Sequence, residues 1–208
     1  MTLTGLPDKS SFELPELPVR ETLTLDPART ALLVVDMQND FVDPEGSLFV
    51  ESAPSTLPSI AALIDHARQS GARVIFTQDT HAEDDREFEI WPVHCVKDTW
   101  GWQLVERLAP QSGDLVVRKA RYDAFYGTEL EHYLSRIWKL DTLIIVGTVS
   151  NICVAQTAAS AGLRWFDVVV PADGISALSD FDQAATLRQI TSLYNGQVVA
   201  RGSDLNFG

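Results

Sequence analysis

The chain of 208 residues carries 29 acidic and 16 basic side chains, which give a formal net charge of −13. This charge argues against nucleic acid or an anionic membrane as a partner, because both repel an acidic protein. Two cysteines are too few for a disulfide framework, and no apolar run approaches the ~20 residues of a membrane span. The length suits one domain, and the composition predicts a reduced, cytoplasmic protein.

Residues 1–28 are rich in proline and glutamate and show no periodicity. They predict an extended arm, placed against the domain or a neighbouring subunit, and a single domain at 29–208. Six apolar runs in that domain predict buried strands: Thr30–Val35, Arg73–Thr77, Leu115–Val117, Leu143–Val146, Arg164–Val170 and Gln197–Ala200. Helical spacing predicts four helices: Leu57–Ser70, Thr128–Trp138, Ile152–Gly162 and Phe181–Tyr194.

Strands that alternate with helices predict the α/β class, with a doubly wound, mainly parallel sheet of about six strands and helices on both faces. Such sheets bind ligands beyond the carboxyl ends of their strands. Five residues with chemically versatile side chains fall at these ends: Asp36, Asp79, His81, Lys119 and Cys153. We therefore expect them to be neighbours in space.

Cys153 is the candidate nucleophile, because a buried strand, a turn at Gly147 and the start of a helix lead up to it. The amides at the start of a helix favour a thiolate and can stabilise an oxyanion. Asp36 is the candidate base, and Lys119 would stabilise both anions by its charge. The alternatives are a small core residue for Cys153, a turn cap for Asp36 and a surface charge for Lys119.

Three blocks of the sequence resemble the cysteine hydrolases of the isochorismatase-like superfamily. They are Leu33-Val-Val-Asp36-Met-Gln-Asn-Asp-Phe41, Arg118-Lys119-Ala-Arg-Tyr-Asp-Ala-Phe-Tyr-Gly-Thr128 and Gly147-Thr-Val-Ser-Asn-Ile-Cys153-Val. The resemblance implies a catalytic triad of Asp36, Lys119 and Cys153 in an isochorismatase-like hydrolase fold. It also implies a non-proline cis peptide between Val149 and Ser150, and an oxyanion hole made by the amides of Val149 and Cys153. Isochorismatases proper lack the cysteine, so its presence favours hydrolysis of an amide C–N bond.

A second resemblance concerns residues 82–103, which form a loop too long to be a simple connection. Trp91-Pro-Val-His94-Cys95 resembles a motif of nicotinamidases, and Asp79-Thr-His81 resembles the segment that opens their metal site. Alternate residues at a strand end point the same way and can share a cation. The resemblance implies a divalent Zn²⁺, Fe²⁺ or Mn²⁺ ion bound by Asp79, His81, His94 and Glu87. Glu83, Asp84, Asp85 and Glu89 compete for the place of Glu87, and a solvated acidic lid without metal is the alternative.

The nicotinamidase resemblance implies a small amide substrate, and a pocket lined by Phe41, Trp91, Tyr126 and Ile152. It also implies a homo-oligomer, either a dimer or a tetramer, and a structural role for Cys95. The segment Val96-Lys-Asp-Thr-Trp-Gly101-Trp departs from the nicotinamidase pattern and is similar to ureidoacrylate amidohydrolases. A ureido or carbamoyl amidohydrolase is therefore the second interpretation, and a non-catalytic binding protein of the same fold is the third.

Overall fold

A computed structural model of the protein describes residues 16–208, and its centre is a parallel sheet. Its strands, in chain order, are β1 Val19–Arg20, β3 Thr30–Val35, β4 Arg73–Asp79, β5 Leu115–Lys119, β6 Thr142–Thr148, β7 Asp167–Pro171, β8 Ile175–Ser176 and β9 Gln197–Val199. The continuous order across the sheet is β1-β9-β7-β6-β3-β4-β5, and β8 pairs with the end of β6. A separate two-stranded sheet joins β2 Leu23–Leu25 to β10 Leu205–Phe207.

The α-helices are α1 Asn39–Val42, α2 Ala53–Ser70, α3 Ala155–Leu163 and α4 Asp180–Leu193. Two further segments have wide, π-type turns, His132–Trp138 after β5 and Ser150–Val154 after β6. Alternate side chains of the central strands divide the core between two faces. Leu33 and Ile145 pack toward the face of α3 and α4, whereas Leu32 and Ile144 pack toward α2. The α/β class, the parallel sheet and the helices on both faces are therefore confirmed.

The strand order reverses between β3 and β6, because the chain moves from β3 toward one edge and from β6 toward the other. Val35 and Gly147 are register partners at the carboxyl ends of these two strands. The strands approach so closely that a Cβ atom on Gly147 would lie 2.1 Å from the Val35 carbonyl oxygen. Ligand sites in such sheets lie at the point of reversal, and Asp36 follows β3 at that point.

All six predicted strands are present, but some boundaries differ. The strand predicted from Arg164 begins only at Asp167, because Trp165 takes a left-handed turn (φ 65°). Gly162 is inside α3 and is not its C-cap; a Cβ there would lie 2.7 Å from Tyr194 Cβ, so close packing requires the glycine. Two segments of the predicted arm belong to the sheets of the domain, since β1 pairs with β9 and β2 pairs with β10.

The arm prediction for residues 1–15 lies outside the described residues. Within residues 16–208, no helix combines the length and the apolar character that a membrane crossing needs.

Candidate active site

Three residues from three strand ends meet beneath a pocket at the point of strand reversal. The Lys119 Nζ atom lies 2.6 Å from Asp36 Oδ2 and 3.6 Å from Cys153 Sγ. The side chains of Lys119 and Asp36 are completely buried, and Cys153 is 5% exposed. The structure therefore brings together all three residues of the predicted triad. A surface lysine and an isolated core cysteine are no longer adequate descriptions of these positions.

Asp36 is held on both sides. Thr77 Oγ1 donates a hydrogen bond of 2.6 Å to Asp36 Oδ1, while Oδ2 faces the lysine. Burial raises the pKa of Asp36 and outweighs the opposing effect of the Lys119 charge. A carboxylate with a raised pKa accepts a proton more readily, which suits a general base.

The pKa of the Cys153 thiol is shifted in the direction opposite to the one that the predicted thiolate requires. Burial raises the pKa of the Cys153 thiol well above its ordinary value, and the Lys119 charge only partly opposes this effect. A buried thiolate would lose its hydration, and the carboxylate of Asp36 nearby disfavours a second negative charge. A thiol with a raised pKa needs a base to take its proton before the sulfur can attack.

The turn that carries Cys153 also differs from the prediction. Val149 O accepts hydrogen bonds from the amides of Ile152 at 3.0 Å and Val154 at 3.2 Å, so the turn is wider than an α-helix. Cys153 lies in this wide turn, and α3 begins only at Ala155.

The expected non-proline cis peptide is present, but it lies between Thr148 and Val149 and not between Val149 and Ser150. Strand β6 runs to Thr148, two residues beyond its predicted end at Val146, so the cis bond directly follows the strand. The Val149 and Cys153 amides flank this same turn, and their role as an oxyanion hole stays a prediction.

Beside the triad, four buried side chains converge as the metal prediction requires: Asp79, His81, Glu87 and His94. Each offers a ligand atom, and these atoms all lie within 4.8 Å of one another. His81 Nε2 is 3.1 Å and His94 Nε2 is 3.6 Å from Asp79 Oδ2. Two imidazoles and two carboxylates form a donor set that suits Zn²⁺, Fe²⁺ or Mn²⁺.

The second nitrogen of each histidine has its own partner. His81 Nδ1 lies 3.0 Å from Asp85 Oδ2, and His94 Nδ1 lies 2.8 Å from the Pro92 carbonyl oxygen. In each ring the Nδ1–H group can donate to an oxygen, which leaves the Nε2 lone pair directed at the cluster. This is how proteins orient histidines that bind a metal. The residues present therefore fit the metal that the resemblance implies.

The long loop supplies two of these four side chains, and its acids divide by burial. Glu87 is 6% exposed, whereas the competitors Glu83, Asp84 and Glu89 point to solvent. Asp85 is directed to the far side of His81, away from the cluster. The solvated lid is therefore wrong as a description of Glu87, and Glu87 stays the candidate fourth ligand.

Above the thiol and the metal candidates is a cavity of about 230 Å³ with mostly apolar walls. Its lining residues are Phe41, Ser47, Leu48, Phe49, Val50, Asp79, Glu87, Trp91, His94, Tyr122, Val149, Ile152, Cys153 and Leu178. This volume suits a ligand of one ring or a short chain, since pockets for drug-sized molecules begin at about 300 Å³. Phe41, Trp91 and Ile152 therefore lie where the prediction placed them.

Tyr126 is the exception among the predicted pocket residues. Its side chain is 68% exposed and does not line the cavity. Tyr122, four residues earlier, lines the cavity and accepts a hydrogen bond of 2.9 Å from Trp91 Nε1. The structure therefore does not place Tyr126 in the pocket, because its side chain faces solvent, and Tyr122 lines the cavity instead.

Comparison with known proteins places this geometry in a family. Residues 30–202 match the Isochorismatase domain. The chain belongs to the isochorismatase-like hydrolase superfamily. A relative in Agrobacterium fabrum, ureidoacrylate amidohydrolase RutB, is 30% identical over 207 residues, covering 86% of this chain and 90% of that protein.

Two solved structures of the superfamily are similar along most of their length. N-carbamoylsarcosine amidase from Thermoplasma acidophilum is 33% identical, with a TM-score of 0.76, covering 84% of this chain and 96% of that chain. Pyrazinamidase of Pyrococcus horikoshii, solved in complex with zinc, is 29% identical, with a TM-score of 0.77 and coverage of 82% and 98%. All three named relatives act on amides, which supports an amidohydrolase.

Sequence reasoning missed several residues that support the isochorismatase-like site. Gln38 exchanges hydrogen bonds of 2.9 Å and 2.7 Å with the carbonyl and amide groups of Asp79, and so fixes the end of β4. Asp40 accepts from the amide of Cys95 at 2.6 Å and so anchors the residue after His94. Both lie in the sequence block that follows β3. The available signal was the run of polar residues directly after a buried strand.

Proposed function

We propose that the protein is a cysteine amidohydrolase that converts nicotinamide, or a similar small heteroaromatic amide, to the acid and ammonia. The observation that carries the proposal is the cluster of Asp79, His81, Glu87 and His94, of which Asp79, Glu87 and His94 line the same cavity as Cys153. A cation held by these residues would share the cavity with Cys153 and would supply a ligand position for a ring nitrogen of the substrate.

The reaction begins with the proton of Cys153. Asp36 accepts this proton as sulfur attacks the amide carbon, and Lys119 stabilises the negative charge that passes between them. In this proposal the Val149 and Cys153 amides receive the carbonyl oxygen as it becomes an oxyanion. Asp36 then donates the proton to the leaving ammonia, and a water molecule hydrolyses the thioester. The bound metal would supply a Lewis acid that orients the substrate.

The charges around the cavity favour a neutral substrate. Among the described residues, those lining it include the carboxylates of Asp79 and Glu87 but neither lysine nor arginine. Lys119 lies beneath Cys153, and its charge is already shared by two carboxylates, Asp36 and Asp79. A substrate that itself carries a carboxylate would find no free cationic side chain in this lining, and an uncharged ring amide needs none.

A ureido or carbamoyl acid is the second candidate substrate class. It is favoured by the similarity to RutB, which extends over 90% of that protein. If this candidate is correct, a metal held by the cluster would supply a positive charge for the substrate carboxylate, since the cavity lining contains no lysine or arginine.

Turnover assays decide between these substrate classes. The protein, purified without chelator and with its metal content measured, should release ammonia from nicotinamide much faster than from ureidoacrylate. His94→Ala should lose both the metal and the activity on nicotinamide. Faster hydrolysis of the ureido acid would replace the proposal with the second candidate, and a metal-free wild type with full activity on nicotinamide would remove the metal from it. An inactive, metal-free protein would favour a binding role.

A further inference from the structure

Asp85 contacts two of the proposed metal ligands with its two carboxylate oxygens. Its Oδ2 atom lies 3.0 Å from His81 Nδ1, and its Oδ1 atom accepts the amide of Glu87 at 2.9 Å. The side chain is 10% exposed, although the acidic residue beside it, Asp84, points to solvent. We propose that Asp85 is the positioning residue that prepares His81 and Glu87 for one metal ion. This inference rests on the proposed function, since it assumes the metal.

The contact with His81 fixes both the tautomer and the ring plane. With Nδ1–H donating to Asp85, the Nε2 lone pair is directed toward Asp79, whose Oδ2 atom lies 3.1 Å away. If His81 lost this partner, its ring could rotate or place its proton on Nε2, and neither state binds a metal at that nitrogen. Partners of this kind typically contribute 10–100-fold to metal affinity.

The contact with Glu87 fixes the backbone. Asp85 is the N-cap of a 3-10 turn, Arg86–Glu89, and the amide that it accepts belongs to Glu87. The cap determines the direction in which this turn leaves the loop, and so keeps the Glu87 side chain buried beside the cluster. Among the acidic residues of the loop 82–103, only Asp85 and Glu87 are turned inward, and the others are exposed.

Arg121 completes the arrangement from the rim of the site. Its Nη1 atom lies 3.0 Å from Asp85 Oδ2 and 3.7 Å from Glu87 Oε2. The guanidinium group therefore lies against the same carboxylate oxygen that faces His81. Asparagine at 85 would meet only part of these demands, because it has one acceptor oxygen and no charge.

The test measures metal affinity directly. Wild type, Asp85→Ala, Asp85→Asn and the matched control Asp84→Asn would be stripped with a chelator and titrated with Zn²⁺ against a chromophoric competitor. We expect the dissociation constant to rise 10–100-fold for Asp85→Ala and less for Asp85→Asn, which keeps one acceptor. Asp84→Asn should stay within about twofold of wild type. The visible spectrum of the Co²⁺-loaded proteins should change for both Asp85 variants.

The Asp85→Asn variant keeps the test valid if Asp85→Ala fails to fold, because asparagine still caps the turn. Thermal unfolding and the alkylation rate of Cys153 report whether each variant is folded. If both Asp85 variants are folded and keep wild-type metal affinity and a wild-type Co²⁺ spectrum, the inference about Asp85 is overturned while the proposed metal site stands. A wild-type protein that binds no metal would overturn the proposed metal site, and this inference with it.

Discussion

The two halves of the candidate active site are built in different ways. The triad of Asp36, Lys119 and Cys153 lies at or just beyond the ends of β3, β5 and β6, three strands of the central sheet. Of the metal candidates only Asp79 is on a strand, while Glu87 and His94 are on a loop that side-chain hydrogen bonds hold in place. A site on sheet strands is as rigid as the core, whereas a site on a loop depends on a few contacts.

The difference predicts that the two halves can be separated by experiment. Changes to the triad should abolish chemistry without removing the metal. Changes to the loop should remove the metal and leave the thiol intact.

The largest expected effect is that of Cys153→Ala. Turnover should fall by about 10⁴-fold or more, because no second nucleophile can form the thioester. Metal content should equal that of wild type, since the thiol is not a member of the metal cluster. Mass spectrometry of a quenched wild-type reaction should show an acyl group on the peptide with Cys153. An active Cys153→Ala variant would show that Cys153 is not the nucleophile.

The next effect is that of Lys119→Met, which removes the charge between Asp36 and Cys153. Loss of such a group raises the barrier by about 3 kcal/mol, so turnover should fall by 10²–10³-fold. Lys97→Met is the matched control, because Lys97 is exposed and should keep wild-type turnover. Steady-state kinetics measure both. A loss below about fivefold for Lys119→Met would show that its charge does not assist the chemistry.

A smaller effect tests the pocket. Trp91→Ala removes a lining aromatic group and the donor to Tyr122, so KM for nicotinamide should rise roughly tenfold while metal content is kept. Tyr126→Ala serves as the control, because that side chain is outside the cavity. Equal KM values for the two variants would show that the aromatic wall does not contact the substrate.

The smallest expected effect is that of metal chelation on the alkylation rate of Cys153. Iodoacetamide should modify Cys153 at rates that agree within about twofold with and without a chelator, because β6 and the turn Ser150–Val154 position the thiol and the metal loop does not. Burial raises the pKa of this thiol, and a raised pKa leaves it neutral at ordinary pH. The alkylation rate should therefore still increase from about pH 8 to about pH 10, where an ordinary thiol reaches its plateau. A plateau near pH 8 would contradict the raised pKa.

The contrast between the two halves also explains what the sequence could predict. The apolar runs before Asp36, Lys119 and Cys153 predicted the sheet, because buried parallel strands have a strong local pattern. The position of these residues after the runs, together with the family resemblance, predicted the triad. The metal ligands came from motif resemblance, and burial was needed to choose Glu87 among its acidic neighbours.

The remaining errors involve properties that no local pattern encodes. The fold of the chain after β5 puts Tyr122, and not Tyr126, in the cavity lining. The amides of Ile152 and Val154 both donate to the Val149 carbonyl oxygen, and this makes the turn that carries Cys153 wider than predicted. The raised pKa of the Cys153 thiol results from its burial, which is a property of the whole fold. The oligomeric state predicted from the resemblance stays a prediction.

The tight approach of β3 and β6 at Gly147 has a consequence for mutational scans of this protein. The residue contacts neither the cavity nor the metal candidates, yet a single methyl group there would collide with the Val35 carbonyl and push the two strands apart. Asp36 follows one of these strands and Cys153 the other, so even alanine would change the spacing of base and nucleophile. Position 147 should therefore score as intolerant as the catalytic residues themselves, although it takes no part in the reaction.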